Sequence, residues 1–197
     1  RIFESARKEF LENGFEKASL KAICERAGVT TGALYKRYKG KEDLFCAVVD
    51  QTVKDLYEVA HSRGDRDPAA MSDAELIKAW DMDGPDMMWW MRFLYDRHDD
   101  FVLLLSRSDG TRYANFQHDW VEVLTKATSA FLAEAQRRGI CRTDVGPEEL
   151  HILLSAFWTT IYEPFIHGFD WEQIEQHCRI VCKLFDWHKA LEFHVKK

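Results

Sequence analysis

Two short amphipathic segments meet at Gly28 with almost no chain between them: residues 18–44 read ASLKAICERAGVTTGALYKRYKGKEDL. Glycine supplies the positive φ of a sharp turn without a Cβ clash. Ser19 and Thr30 each stand where a helix needs a side-chain oxygen for its first free N–H groups. The spacing predicts a helix from Ser19 to about Arg26 with Leu20, Ile23, Cys24 and Ala27 inward. A second helix follows, with Ala33, Leu34 and Tyr38 inward and Val29 plugging the gap between the two. A turn this tight fixes the crossing of the pair and presents the second helix outward.

The flanks read as helix too. Ile2, Phe3, Ala6, Phe10 and Leu11 fall on one face of residues 2–12, and Gly14 is placed to end that helix as a left-handed cap. A fourth helix is expected from near Lys41 to about His61, with a stripe of Leu44, Phe45, Val48, Val49, Val53, Leu56 and Tyr57. Residues 1–45 thus read as a small helical head, and the length of the fourth helix carries the chain out of it.

Only four prolines interrupt the chain, at 68, 85, 147 and 164, and long helical periodicities separate them. Residues 61–70 form the clearest break. Helix resumes near Ser72, is interrupted at Gly84–Pro85 and runs on to about His98, with a short apolar turn or helix from Phe101 to Ser106. Residues 111–138 read as one helix ending at Arg137-Arg138-Gly139, as the helix dipole favours. Leu150, Leu153, Leu154, Phe157, Trp158, Ile161, Tyr162 and Phe165 give a broad apolar face between Pro147 and Gly168. Asp170 is expected to cap a last helix reaching about Phe193, with Ile174, Cys178, Val181, Cys182, Leu184 and Phe185 inward. Two faces this wide exceed what one partner helix covers, so a homodimer built as a four-helix bundle is expected through Leu150, Leu154, Phe157, Ile161, Ile174, Cys178, Val181 and Phe185. The fold class expected is all-α: a three-helix head joined by a long fourth helix to a larger helical domain over residues 46–197.

The chain carries a formal net charge of -6, which argues against a polyanionic partner until its distribution is considered. Residues 1–50 hold ten Lys or Arg against eight Asp or Glu, and residues 51–197 hold seventeen against twenty-five. Lys36, Arg37, Lys39 and Lys41 gather on the outward segment, a cationic tip on an acidic body suited to salt-dependent attraction of phosphates. No apolar run approaches the roughly 20 residues that span a bilayer, and neither a signal nor a transit pattern opens the chain, so a cytoplasmic protein without membrane contact is expected. Arg1 already lies inside an apolar-periodic pattern, so residues upstream of it are expected. The five cysteines form no tight Cys-x-x-Cys pair and read as buried small hydrophobes rather than a disulfide framework.

A helix that enters the DNA major groove needs short outer side chains at its leading turn and cations behind them. Thr30, Thr31, Gly32 and Ala33 meet the first demand; Tyr35, Lys36 and Arg37 extend the surface, and Ser19 is also expected to meet DNA. Thr31 is suited to a base edge or methyl group, Lys36 to a guanine or a phosphate, and Tyr35 and Lys41 to phosphates. In this region the sequence resembles the TetR family of bacterial transcriptional regulators, on an ordered series: Ala6, Phe10, Gly14-Phe15, Ala18-Ser19-Leu20, Ile23, Ala27-Gly28-Val29, Thr31-Gly32-Ala33-Leu34-Tyr35, Tyr38, Lys41-Glu42 and Leu44. The resemblance implies a helix-turn-helix head, with Gly32 close to bases and Tyr35 and Lys41 on phosphates. It also implies a homodimer on an inverted-repeat operator in double-stranded DNA, repressing until a small hydrophobic or amphipathic effector enters the larger domain. Tyr38 stands where the family commonly has Phe, Arg37 where it often has His, and Gly40 where a Ser or similar cap is common.

Trp and Met crowd residues 80–95, a pliable, polarizable wall for apolar molecules. Trp80, Met87, Trp90, Met91, Tyr113, Phe116, Trp120, Trp158 and Tyr162 are the candidate effector lining, although helical cores use the same residues. His118, Asp119, Glu122 and Glu163 lie near these aromatics and would suit a cationic effector, or are simply solvated. His177, Cys178 and Cys182 crowd one helix, but His177 points away from Cys178 and no further ligand joins them, so no metal and no cofactor is expected. Nucleophile elbow, phosphate loop, HExxH and dinucleotide motifs are all absent from the sequence, so an enzyme is disfavoured. A helical adaptor that captures another protein is the remaining alternative.

Overall fold

The computed structural model describes residues 1–82 and 84–194. Among them the regular elements are helical throughout: α1 (Ile2–Lys17), α2 (Leu20–Ala27), α3 (Thr31–Tyr35), α4 (Lys41–Gly64), a 3-10 turn at Pro68–Ala70, α5 (Asp73–Lys78), α6 (Gly84–Tyr95), α7 (His98–Ser106), α8 (Phe116–Arg138), α9 (Pro147–Ile166), α10 (Trp171–Leu184) and α11 (Trp187–Ala190). The chain divides into two units, Arg1–Tyr57 with Asp96–Gln117 and Glu58–Tyr95 with His118–Lys197. The head expected over residues 1–45 therefore packs together with α4 as far as Tyr57 and with α7.

In the first unit, Phe10, Phe15 and Phe45 form an edge-on cluster, with ring centroids of Phe10 and Phe45 5.0 Å apart and of Phe15 and Phe45 5.6 Å apart. Ala6, Ile23, Leu34, Leu44, Val49 and Phe101 are almost fully buried around them. Gly14 does adopt a positive φ of 71°, but as a kink inside α1, which resumes and ends at Lys17. Phe3 is exposed, against its expected place inward, while Ser5 and Glu9 are buried. Both polar residues are satisfied: Ser5 Oγ donates to the Ile23 carbonyl at 2.8 Å, and Glu9 accepts three hydrogen bonds described below. Asp100 on α7 accepts from Arg7 Nε at 2.6 Å and from Thr52 Oγ1 at 3.2 Å, so one carboxylate joins α1, α4 and α7. Arg97 donates to Asp55 at 2.6 Å from its Nη2 and adds a second tie between α4 and the start of α7.

Several helix ends differ from expectation for identifiable reasons. α8 begins at Phe116 rather than near residue 111, because Ser108 and Thr111 close turns: Thr111 Oγ1 donates to the Ser108 carbonyl at 2.7 Å, and Ser108 Oγ donates to the Tyr113 carbonyl at 3.0 Å. α10 stops at Leu184, where Phe185 leaves helical geometry at φ -107°, ψ 64°. Asp186 then caps the separate turn of α11. Leu184, expected inward, is 69% exposed. Pro164 lies inside α9, and having no N–H it cannot bond the Thr160 carbonyl one turn back. That carbonyl instead accepts a hydrogen bond from His177 Nε2 on α10 at 2.7 Å, which fixes the histidine's role as structural.

The second unit closes on aromatic rings and one buried charge centre. Phe157, Phe185 and Trp187 pack together, with Phe157 and Phe185 5.1 Å apart, and Trp80 lies 6.0 Å from Trp187. Arg138 at the end of α8 donates to Glu134 Oε1 at 2.6 Å, to Asp73 Oδ1 at 2.9 Å and to the Met71 carbonyl at 2.7 Å. It thereby fastens the segment before α5. Hydrogen bonds from Arg137 and Arg138 hold the Glu134 carboxyl far below the usual range, at about 2. A carboxylate with a depressed folded-state pKa stabilises fully above its unfolded value, about 4.3, and loses that stabilisation as pH falls toward 2. Glu134→Gln is therefore expected to lower the melting temperature at pH 7 and to flatten its fall between about pH 5 and pH 2, read by thermal denaturation across that range. An unchanged slope would remove Glu134 from the acid response.

Candidate nucleic-acid interface

The geometry of α2 and α3 is set by their caps and one left-handed residue. Ser19 Oγ accepts from the Ala22 N–H at 3.3 Å, and Thr30 Oγ1 accepts from the Ala33 N–H at 3.1 Å. Gly28 sits at φ 68°, ψ 36° between them. α2 buries Ile23, Cys24 and Ala27, whereas α3 is anchored by Leu34 alone, with Ala33 and Val29 exposed rather than inward and Tyr38 half-buried. Tyr38 packs toward Phe3, ring centroids 6.2 Å apart. Asp43 Oδ2 accepts from the Lys39 N–H at 2.9 Å, reaching back across the weak cap at Gly40.

Glu9 supplies the element that the sequence pattern did not single out. Its Oε1 accepts from the Ser19 N–H at 3.0 Å and from Asn13 Nδ2 at 3.1 Å, and its Oε2 accepts from Arg26 Nη2 at 3.3 Å. One buried carboxylate thus holds the N-terminus of α2, where the helix dipole favours negative charge, and also the last turn of the same helix. A glutamate on an apolar face is the signal that would have found it.

Of the residues expected to meet DNA, Ser19, Thr30, Thr31, Gly32, Ala33, Tyr35, Lys36 and Arg37 are all exposed, and Tyr35 keeps 57% of its surface. Lys41 differs. Its ammonium donates to the Glu16 carbonyl at 2.7 Å and to the Ala18 carbonyl at 3.2 Å, and lies 4.8 Å from the centre of the Phe15 ring. It closes the end of α1 as well as carrying charge. Gly32 contrasts with Gly28: it needs no positive φ, and a Cβ there would meet only Thr30 Oγ1 at 3.9 Å. Nothing inside the chain requires glycine at that position.

The effector candidates separate. Trp90, Trp120, Trp158 and Tyr162 form a row in the second unit, with successive ring centroids 6.5, 5.8 and 5.9 Å apart. Met87 and Met91 are fully buried in the same unit, and Trp80 belongs to the Trp187 cluster instead. Tyr113 and Phe116 fall in the first unit. The residues expected to form the dimer contact are taken up by the chain's own core: Leu150, Leu154, Phe157, Ile161, Ile174, Cys178 and Val181 are buried and Phe185 is half-buried. Burial pushes the Cys178 thiol up to about 12, an inert state for a cysteine. The large apolar side chains left exposed on α9 and α10 are Ile152, Ile166, Ile180 and Leu184. Among the described residues no helix is long and apolar enough to cross a membrane.

Residues 2–48 match the family described as bacterial regulatory proteins, tetR family. Over 168 residues the chain is 27% identical to the HTH-type transcriptional repressor AcnR of Corynebacterium glutamicum, covering 84% of this chain and 78% of that protein. The structure of PfmR, a TetR family transcriptional regulator from Thermus thermophilus, superposes with a TM-score of 0.66 at 18% identity over 100% of both chains. The transcriptional regulator FadR from Bacillus subtilis, solved in complex with stearoyl-CoA, superposes with a TM-score of 0.61 at 13% identity, covering 93% of this chain and 95% of that one. The capped α2–α3 head thus carries the sequence of the tetR family of regulatory proteins, and along its whole length the chain has the fold of TetR-family transcriptional regulators and is similar to a repressor of the helix-turn-helix type.

Proposed function

We propose that the chain is a repressor that binds an inverted-repeat operator as a homodimer through α3 and is released by a small hydrophobic or amphipathic effector held in its second unit. The observation that carries the DNA reading is Gly32, a glycine on the exposed face of α3 that the fold itself does not require. A backbone that must approach base edges closely gives the reason for it, with Thr31 and Lys36 beside it for bases and Tyr35, Arg37 and Lys41 for phosphates. Gly32→Ala is expected to leave stability unchanged or raised by up to about 1 kcal/mol, yet to weaken operator binding by at least about tenfold. Gly28→Ala is expected to destabilise by about 1–2 kcal/mol, because alanine resists a left-handed φ. Thermal denaturation and fluorescence anisotropy with DNA from the gene's own upstream region, over a salt series, read both. Full operator affinity in folded Gly32→Ala would remove α3 as the reading surface.

The dimer face we propose is the exposed side of α9 and α10. Ile152 and Ile166 lie about four turns apart along α9, Ile180 and Leu184 lie one turn apart on α10, and Ala156 and Thr159 between the α9 pair are short enough to let a second helix approach. Replacing Ile180 and Leu184 together by Glu is expected to give a folded monomer in analytical ultracentrifugation and to lower operator affinity by at least about a hundredfold, since the two half-sites are then bound independently. A variant that stays dimeric places the contact elsewhere.

For the effector, the row of rings from Trp90 to Tyr162 with Met87 and Met91 is polarizable and apolar, and FadR's stearoyl-CoA is one amphipathic molecule of the right chemistry. Titration with stearoyl-CoA is expected to quench tryptophan fluorescence and to weaken operator binding by about 5–150-fold, with DNA weakening the ligand by the same factor. Ligand binding that leaves operator affinity unchanged would exclude this class of effector as the inducer.

A further inference from the structure

On the second unit three side chains of ligand type converge. His118 and Glu122 stand one turn apart on α8, and so on one face; His151 reaches them from α9. Their ligating atoms all lie within 4.8 Å of one another, and Glu122 Oε1 is 4.0 Å from both His118 Nε2 and His151 Nδ1. We propose that His118, Glu122 and His151 bind one divalent transition-metal ion, zinc by ligand preference, and so clasp α8 to α9.

The donor set, two imidazoles and one carboxylate, is that of zinc sites with three protein ligands and an open fourth position. With bonds of about 2.0–2.1 Å, ligand atoms around tetrahedral zinc sit about 3.3 Å apart, so the trio must draw slightly inward. The two arms on α8 have room to do so: the side chains of His118 and Glu122 are 67% and 63% exposed, while His151, 30% exposed, is the fixed arm. Thr125 Oγ1 lies 3.1 Å from His151 Nδ1 and holds the ring with that nitrogen toward Glu122. A hydroxyl that donates there occupies the single lone pair of an unprotonated Nδ1, so Thr125 must turn its hydrogen away and yield that lone pair when the ion binds. The fourth position opens to solvent and takes water or an anionic ligand.

The test uses the full chain stripped with EDTA and titrated with zinc chloride by calorimetry, with cobalt(II) absorption as a report on geometry. One equivalent is expected with a Kd at or below about 10 µM, with a tetrahedral cobalt spectrum. His118→Ala with His151→Ala together should weaken it by at least about a hundredfold; both side chains lie at or near the surface, and circular dichroism checks the fold. With free zinc about 100-fold above Kd, unfolding of the wild type should be suppressed about 100-fold and that of the double variant not at all. Unsaturable binding, or stoichiometric binding that survives in the folded double variant, overturns the site.

Discussion

The DNA-reading head depends on one buried carboxylate. α3 has only Leu34 to hold it from within, so its position follows from α2, and α2 is located by Glu9. Because Glu9 takes the first free N–H of α2 through Ser19 and the guanidinium of Arg26 at its other end, α2 is fixed against α1 in both translation and rotation. A buried charge tolerated for this purpose costs desolvation that only multiple, well-formed hydrogen bonds offset. The caps of Ser19 and Thr30 and the left-handed Gly28 then place α3 with little freedom left.

Similar polar ties fasten the head to the elements behind it within the first unit. Asp100 gathers Arg7 and Thr52, and Arg112 bonds Glu42 through its N–H and Cys46 through Nε. These contacts run from α7 and the turns after it to α1 and α4, the two helices flanking the reader. Any displacement of α7 is therefore felt by α1 and α4 together, through groups that lose charged hydrogen bonds if they part. The effector release proposed above would find in these ties a physical carrier inside one unit.

Much of this was legible in the sequence where a residue type admits one structural use. Gly28, Ser19, Thr30 and the capping Asp170 behave as their chemistry demands, and the apolar spacing of α9 predicts its buried face except at Leu153, which is half-buried. What escaped was of two kinds. Polar residues that serve the core, Ser5, Glu9 and Asp100, look like surface in a hydrophobic pattern, because their partners are distant in sequence. Periodicity marks the apolar faces of the last two helices as buried without saying against what, so the dimer contact expected there falls on residues of the chain's own core. Here Ile174, Cys178 and Val181 are buried inside the chain, and the isoleucines interrupting the polar side are what remains. The effector lining is legible only as composition, and His118, Glu122 and His151 meet only through the packing of α8 on α9.

Pro164 and His177 show how a helix break can become a bond between neighbours. The proline strips the Thr160 carbonyl of its partner in α9, and the histidine on α10 supplies the missing donor. The two positions therefore form a single heritable unit: a lineage that loses the histidine alone leaves an orphan acceptor, and one that restores an N–H at the proline position frees the histidine to diverge. Paired substitution at these sites, rather than conservation of either, is the trace this arrangement would leave among related chains.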